Sequence, residues 1–221
     1  VETGFCGPGL MGAPMIRAAV EQIVFGPAGL LDGGPAAPRR MRWIVDHSSI
    51  APAATRALAR RVTDFGEAGG AAAGAAGTGT SRDGASIGWI DAPVSGGVAG
   101  ATAGTLAIMA GGAASDLAAV RPLLDAYAAR VTHMGEVGAG QTAKLCNQAI
   151  VTATVAAITE AVSLAQRSGI DAARLPEALA GGSADSVLLR TFVPRMTQSG
   201  LAPIGALRTF QKDVDTVAAT A

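Results

Sequence analysis

Apolar residues along this chain change their spacing near residue 138. Short blocks between glycine-rich turns give way there to one long helical stripe. Residues 1–6 are a short apolar lead that reads as the end of a strand. Residues 13–25 then carry helical spacing, and 26–40 are rich in Gly and Pro and read as loop. Residues 41–46 predict a strand that ends on Asp46, and Pro52 stands near the first turn of a helix over 53–62. Residues 89–94 and 104–110 read as strands, the second ended by Gly111-Gly112. A helix over 114–127 and a short strand over 131–134 follow. From Gln141 to Ser168, Leu145, Ile150, Val155, Ile158, Val162 and Leu164 lie in an almost unbroken apolar run. That run predicts a long buried helix stopped at Ser168-Gly169. Asp171 suits the cap of a further short helix, and Ser183 or Asp185 the cap of another.

Strands alternating with helices, then helices alone, predict an α/β domain over 1–137 joined to an all-helical domain over 138–221. One stretch of the first domain differs in kind. Residues 66–88 are mostly Gly, Ala, Ser and Thr and hold almost no large apolar side chain. Such a segment buries too little surface to offset its ordering entropy, which predicts a disordered low-complexity insertion.

Composition narrows the function classes. The chain has 221 residues, 49% hydrophobic but only 4% aromatic, so its core is built from Ala, Val, Leu and Ile. The 17 basic and 17 acidic residues cancel, which gives no electrostatic case for nucleic acid or an anionic membrane. No apolar run is read as approaching the roughly 18 residues that suggest a membrane span. Cys6 and Cys146 form no disulfide framework and read as core residues in a reducing compartment. With His47 and His133 they offer no metal-ligand spacing. No targeting segment is visible, and the mitochondrial matrix or the cytoplasm is the expected location.

Gly7-x-Gly9-x-x-Gly12 stands between the first strand and the first helix. In such a turn the first Gly permits a tight bend, the second admits a phosphate to the backbone, and the third lets helix and strand pack closely. The helix N-terminus then faces the pyrophosphate with free N–H groups. The ribose-binding acid expected about 20 residues later would be Asp32. Asp32 lies in a turn and not at a strand end, so it is rejected for that role.

Further segments carry a resemblance. Residues 4–15, with Gly7, Gly9, Leu10, Met11 and Gly12, resemble the GFxGxGxMGxPM opening of the 3-hydroxyisobutyrate dehydrogenase family of β-hydroxyacid dehydrogenases. Residues 91–97 match that family's DAPVSGG segment at every position, and residues 138–147 match its GxGxxxKxxxN segment. Phe210-Gln211-Lys212-Asp213 resembles its FxKD element. The resemblance covers most of the chain. It lacks the family's second strand with the cofactor selector, and it stops soon after Asp213, so both domains are expected to be partial.

The resemblance implies a Rossmann-like dinucleotide-binding domain, a long connecting helix and an all-helical domain that is often the oligomer contact. It implies oxidation of a small β-hydroxy acid, such as 3-hydroxyisobutyrate in valine catabolism, to its semialdehyde with NAD, or with NADP. Reduction of tartronate semialdehyde, succinic semialdehyde or glyoxylate is the alternative within the family. A catalytically defective chain acting through helix-mediated association is the alternative outside it. By the same resemblance Lys144 is the general acid/base. Its ordinary pKa of about 10.4 must fall for work near neutrality, and burial or a helix N-terminus lowers it. Asn147 shares the helix face of Lys144 and suits the same substrate oxygen. Ser95 with Gly96 and Gly97 would hold the substrate carboxylate, while Ser49 and Lys212 would lie by the nicotinamide.

Overall fold

The structure is a computed structural model, and it describes residues 13–32, 41–73, 87–201 and 207–220. In chain order the elements are α1 (Ala13–Phe25), β1 (Trp43–Asp46), α2 (Pro52–Ala73), β2 (Gly88–Asp91), β3 (Val94–Ser95) and α3 (Gly97–Ala103). Then come β4 (Leu106–Gly111), α4 (Ala114–Leu124), β5 (Ala128–Gly135) and α5 (Ala139–Arg167). A 3-10 turn (Ala172–Arg174) leads to α6 (Leu175–Ala178), α7 (Val187–Thr197) and α8 (Leu207–Thr220).

The sheet is mixed. Strands β1 and β2 run parallel in register, Asp46 beside Asp91. Strand β4 pairs antiparallel with β3 and with the end of β2, and parallel with β5. This is the Rossmann-like α/β sheet expected from the sequence, followed by a helical region. One expected strand is divided: Pro93 has no N–H for a ladder, and 89–94 becomes β2 and β3.

Three apolar clusters hold these elements. Val20, Val24, Ile44, Leu58, Val62 and Trp89 join α1 and α2 to one part of the sheet. Ile90, Ile108, Leu117, Leu124 and Val131 join α4 to the rest. Ile158, Val162, Ala165, Leu189 and Val193 form a separate core between α5 and α7. Each fully buried Leu, Ile or Val contributes about 1.5–3 kcal/mol against exposure.

Several expectations are corrected. Residues 66–73, expected to be part of a disordered insertion, continue α2, because alanine is the strongest helix former. Ile87 and Gly88, assigned to the same insertion, lead into and begin β2, and Ile87 is buried. Residues 74–86 lie outside the described residues. The long helix is not buried throughout: Ile150 and Leu164 are 65% and 60% exposed, while its buried residues include Ile158, Val162 and Ala165. Only one stripe of a helix can face a given neighbour. By length and composition α5 is also apolar enough to cross a membrane, contrary to the expectation that no segment was. Its buried groups nevertheless find partners within the chain, at the strand ends and on α7. Cys146, expected in the core, is exposed on α5; Cys6 lies outside the described residues. Helix α7 is capped by Ser186, whose Oγ accepts the Leu189 N–H at 3.0 Å, and not by Ser183 or Asp185. Asp185 instead accepts the Gly181 N–H and pairs with Arg190. Asp171 does cap its 3-10 turn, accepting the Ala173 N–H at 3.0 Å.

Candidate active site

Parallel strands end with their loops on one side, where open α/β sheets collect their functional groups. Here β1 and β2 end on Asp46 and Asp91, both buried. Burial raises the Asp46 carboxyl above its ordinary range, and Ser48 partly opposes this. Asp46 Oδ1 accepts the Ser48 N–H at 2.9 Å, while Oδ2 and the Ser48 Oγ are buried without partners among the described residues. His47 Nδ1 lies 2.6 Å from the Ala92 carbonyl, which only accepts, so Nδ1 carries the proton and donates. Nε2 then accepts from the Tyr127 hydroxyl at 2.8 Å. Burial pushes His47 down and pushes Tyr127 up to about 12, so the pair is neutral at ordinary pH.

Asp91 turns toward α5. Its Oδ1 accepts the Gly138 N–H at 2.7 Å and its Oδ2 the Gln141 N–H at 2.8 Å. Helix α5 has no cap from its own N-cap residue, so a strand supplies it. One turn along, Lys144 is half-buried and its Nζ donates to the Val94 carbonyl at 2.8 Å. That contact sets the amine beside Ser95. Burial lowers the Lys144 pKa; Asp213 opposes that and Lys212 adds to it.

Gly96 and Gly97 follow Ser95 with φ of +127° and +60°, a conformation that only glycine adopts without strain. The space beside Gly97, where a Cβ would project, is open. On α8, Lys212 is buried, pairs with Asp213 at 2.7 Å and donates to the Ser49 carbonyl at 3.0 Å. Asp213 also accepts from Gln148 Nε2 at 2.5 Å, and Gln148 accepts from Asn147 Nδ2 at 2.8 Å. Lys144, Asn147, Ser49, Ser95, Gly96, Gly97 and Lys212 therefore share one neighbourhood, linked by α5 and these bonds. Gly7, Gly9, Leu10, Met11 and Gly12 lie outside the described residues. Asp32 is exposed and its Oδ2 accepts the Ala28 N–H at 3.0 Å.

Two partners escaped the reading by sequence. Asp91 opens the 91–97 segment and Gln141 sits inside the 138–147 segment, yet neither was singled out. Asp91 stands four positions before Ser95 and Gln141 three before Lys144, and the fold buries both almost fully.

The donor set suits a dinucleotide's nicotinamide end. The orphaned Asp46 and Ser48 oxygens mark a polar strand end, and the Ser49 segment, Ser95 and two amines border it. Among the described residues, Ser49 and Lys212 would hold that end, while the phosphate turn lies outside them.

Comparison with known proteins gives two family models. Residues 138–221 match the NAD-binding domain of NADP-dependent 3-hydroxyisobutyrate dehydrogenase, and residues 71–135 match the NAD-binding domain of 6-phosphogluconate dehydrogenase. The chain is 35% identical over 196 residues to 2-hydroxy-3-oxopropionate reductase of Escherichia coli, covering 89% of this chain and 59% of that protein. The crystal structure of a 3-hydroxyisobutyrate dehydrogenase from Salmonella typhimurium superposes with a TM-score of 0.71 at 26% identity, over 93% of this chain and 63% of that one. The Mycobacterium tuberculosis 3-hydroxyisobutyrate dehydrogenase, solved with L-serine, gives 0.61 at 30% identity, over 84% and 61%. The chain thus spans about three fifths of the length of the relatives it matches.

Proposed function

Since the chain belongs to the 3-hydroxyisobutyrate dehydrogenase family of β-hydroxyacid dehydrogenases, we propose that it interconverts a small β-hydroxy acid and its semialdehyde, with Lys144 moving the proton. The observation that carries this reading is the Lys144 amine, half-buried, lowered in pKa and held beside Ser95. NAD or NADP, when bound, supplies the hydride acceptor. The neutral amine keeps an N–H for the Val94 carbonyl and turns its lone pair to the substrate hydroxyl. The hydroxyl proton then passes to Nζ as the C–H bond of the same carbon breaks. Asn147 holds the substrate oxygen from the same face of α5, and Ser95 with the Gly96 and Gly97 amides receives the carboxylate. Lys212 adds positive charge that keeps Lys144 neutral more readily and draws in an anionic acid.

The reverse reaction, reduction of a semialdehyde such as 2-hydroxy-3-oxopropionate, uses the same groups with Lys144 starting protonated. The match to the E. coli reductase over 89% of this chain favours that reading. Association through the helical region and residence in the cytoplasm or the mitochondrial matrix complete the proposal.

The test is a panel of 3-hydroxyisobutyrate, L-serine and glycerate with NAD and with NADP, and their semialdehydes with the reduced cofactors. Oxidation should rise with pH through the lowered Lys144 pKa, and reduction should fall through it. Absence of turnover in both directions, together with absence of cofactor binding by calorimetry, overturns the reading.

A further inference from the structure

The lysine of this site has to be aimed, and the geometry shows what aims it. Helix α5 begins at Ala139 and reaches Lys144 in under two turns. Gly140 is buried on strand backbone: a Cβ there would lie 2.4 Å from the Met109 carbonyl oxygen and 2.5 Å from that of Asp91. The helix therefore sits flat on β2 and β4 at a distance that only glycine allows. In that position the Asp91 carboxylate, fully buried, takes two N–H groups of the first turn, those of Gly138 and Gln141. Gln141, 1% exposed, reaches across to the loop after β1. Its Nε2 donates to the Ser48 carbonyl at 2.7 Å and its Oε1 accepts the Ile50 N–H at 3.2 Å. These two bonds bracket Ser49, whose carbonyl receives Lys212.

We propose that Asp91 and Gln141 are the positioning residues of this site, locking the first turn of α5 to the ends of β1 and β2 and so setting Lys144 against Val94 and Ser95 and Ser49 against Lys212. The proposal rests on the reading of Lys144 as the proton carrier for its consequence in turnover. Its geometric content does not. Neither side chain exchanges a proton with substrate. Each acts through the backbone that carries a reacting or binding group, and a displacement of about 1 Å at such a group is enough to cost about 100-fold in rate.

The experiment uses the full chain with Asp91→Asn, Asp91→Ala and Gln141→Met. Asparagine keeps one acceptor for the two amides, and methionine keeps the length and burial of glutamine without its bonds. Each variant is first checked for a cooperative thermal transition. Lys144 is then titrated by pH-dependent acylation of its amine, read by peptide mass spectrometry, which needs no turnover. In folded variants the Lys144 pKa should rise toward its ordinary value as the amine gains solvent. kcat should fall by about 100-fold, the KM for cofactor should rise in Gln141→Met, whose lost bonds hold the Ser49 segment, and Asp91→Asn should lie between the parent and Asp91→Ala. A shifted titration in variants of a parent that turns over no hydroxy acid sinks the proposed function and leaves the positioning role standing. Folded Asp91→Asn and Gln141→Met proteins with the parent's Lys144 titration and kcat overturn the positioning role, whatever their stability.

Discussion

At its first turn α5 buries Gly140 and Gln141 on the strand ends through bonds with Asp91, Ser48 and Ile50. About five turns later it buries Ile158, Val162 and Ala165 in a cluster with Leu189 and Val193 of α7. Between them Ile150 is open to solvent. The first region is held by directional bonds between buried polar groups, and the second by apolar area that has no preferred direction. Apolar burial supplies more of the holding free energy, and hydrogen bonds supply position. The end that carries Lys144 and Asn147 is the one fixed by direction.

The sharpest way to separate the two regions is Lys144→Ala. Turnover should drop by about 10²–10⁴-fold, equivalent to about 3–5 kcal/mol of barrier. Cofactor affinity by calorimetry should stay at the parent's value; a variant that keeps kcat breaks the assignment. Leu189→Ala strikes the other region. It should lower the unfolding free energy in urea by about 2–4 kcal/mol through lost burial and a cavity. Its kcat, measured where the protein is folded, should match the parent, and a large loss of kcat would show that the two regions are coupled.

A smaller effect is expected at Asp46, on the strand end. Burial raises its carboxyl above the ordinary 3.8, so the folded state binds that proton more tightly than the unfolded chain. The linked stability is present below the unfolded value and is lost as pH rises through the folded one. Asp91 is raised by burial and contributes with the same sign. Thermal midpoints should therefore decline over that rise, and less steeply in Asp46→Asn than in the parent; equal slopes would remove Asp46 from the account. Arg167→Ala, in the exposed last turn of α5, should cost only about 0.3–1 kcal/mol from the helix dipole and its bond to Ser163. A loss above the Leu189→Ala value in the same melt would reverse the order of forces described here.

Much of the fold is legible because local patterns act locally. Helix α1 runs over the expected residues, and α5 extends only two residues before the apolar run read for it. The candidate site residues Lys144, Asn147, Ser95, Gly96 and Gly97 were legible only because their short segments resemble those of a known family. Asp91 and Gln141 stand in the same segments and stayed hidden, because a capping carboxylate 47 residues from the amide it receives has no local signature. The exposure of Cys146 and Ile150 was hidden for a related reason: an apolar run says that a helix forms, while its neighbours decide which stripe is covered.

By itself the sequence determined most of the helices and strands, and it set a glycine, Gly140, and an amine, Lys144, near the start of the long helix. Those follow from propensity, from the missing Cβ and from side-chain chemistry, all properties of single residues or short runs. Only the tertiary structure decided that β1 and β2 end side by side, that Asp91 caps α5 from another element, and that Lys212 meets the Ser49 carbonyl from 163 residues away. Burial, pKa and aim depend on what surrounds a group, and those surroundings exist only once the chain has closed on itself.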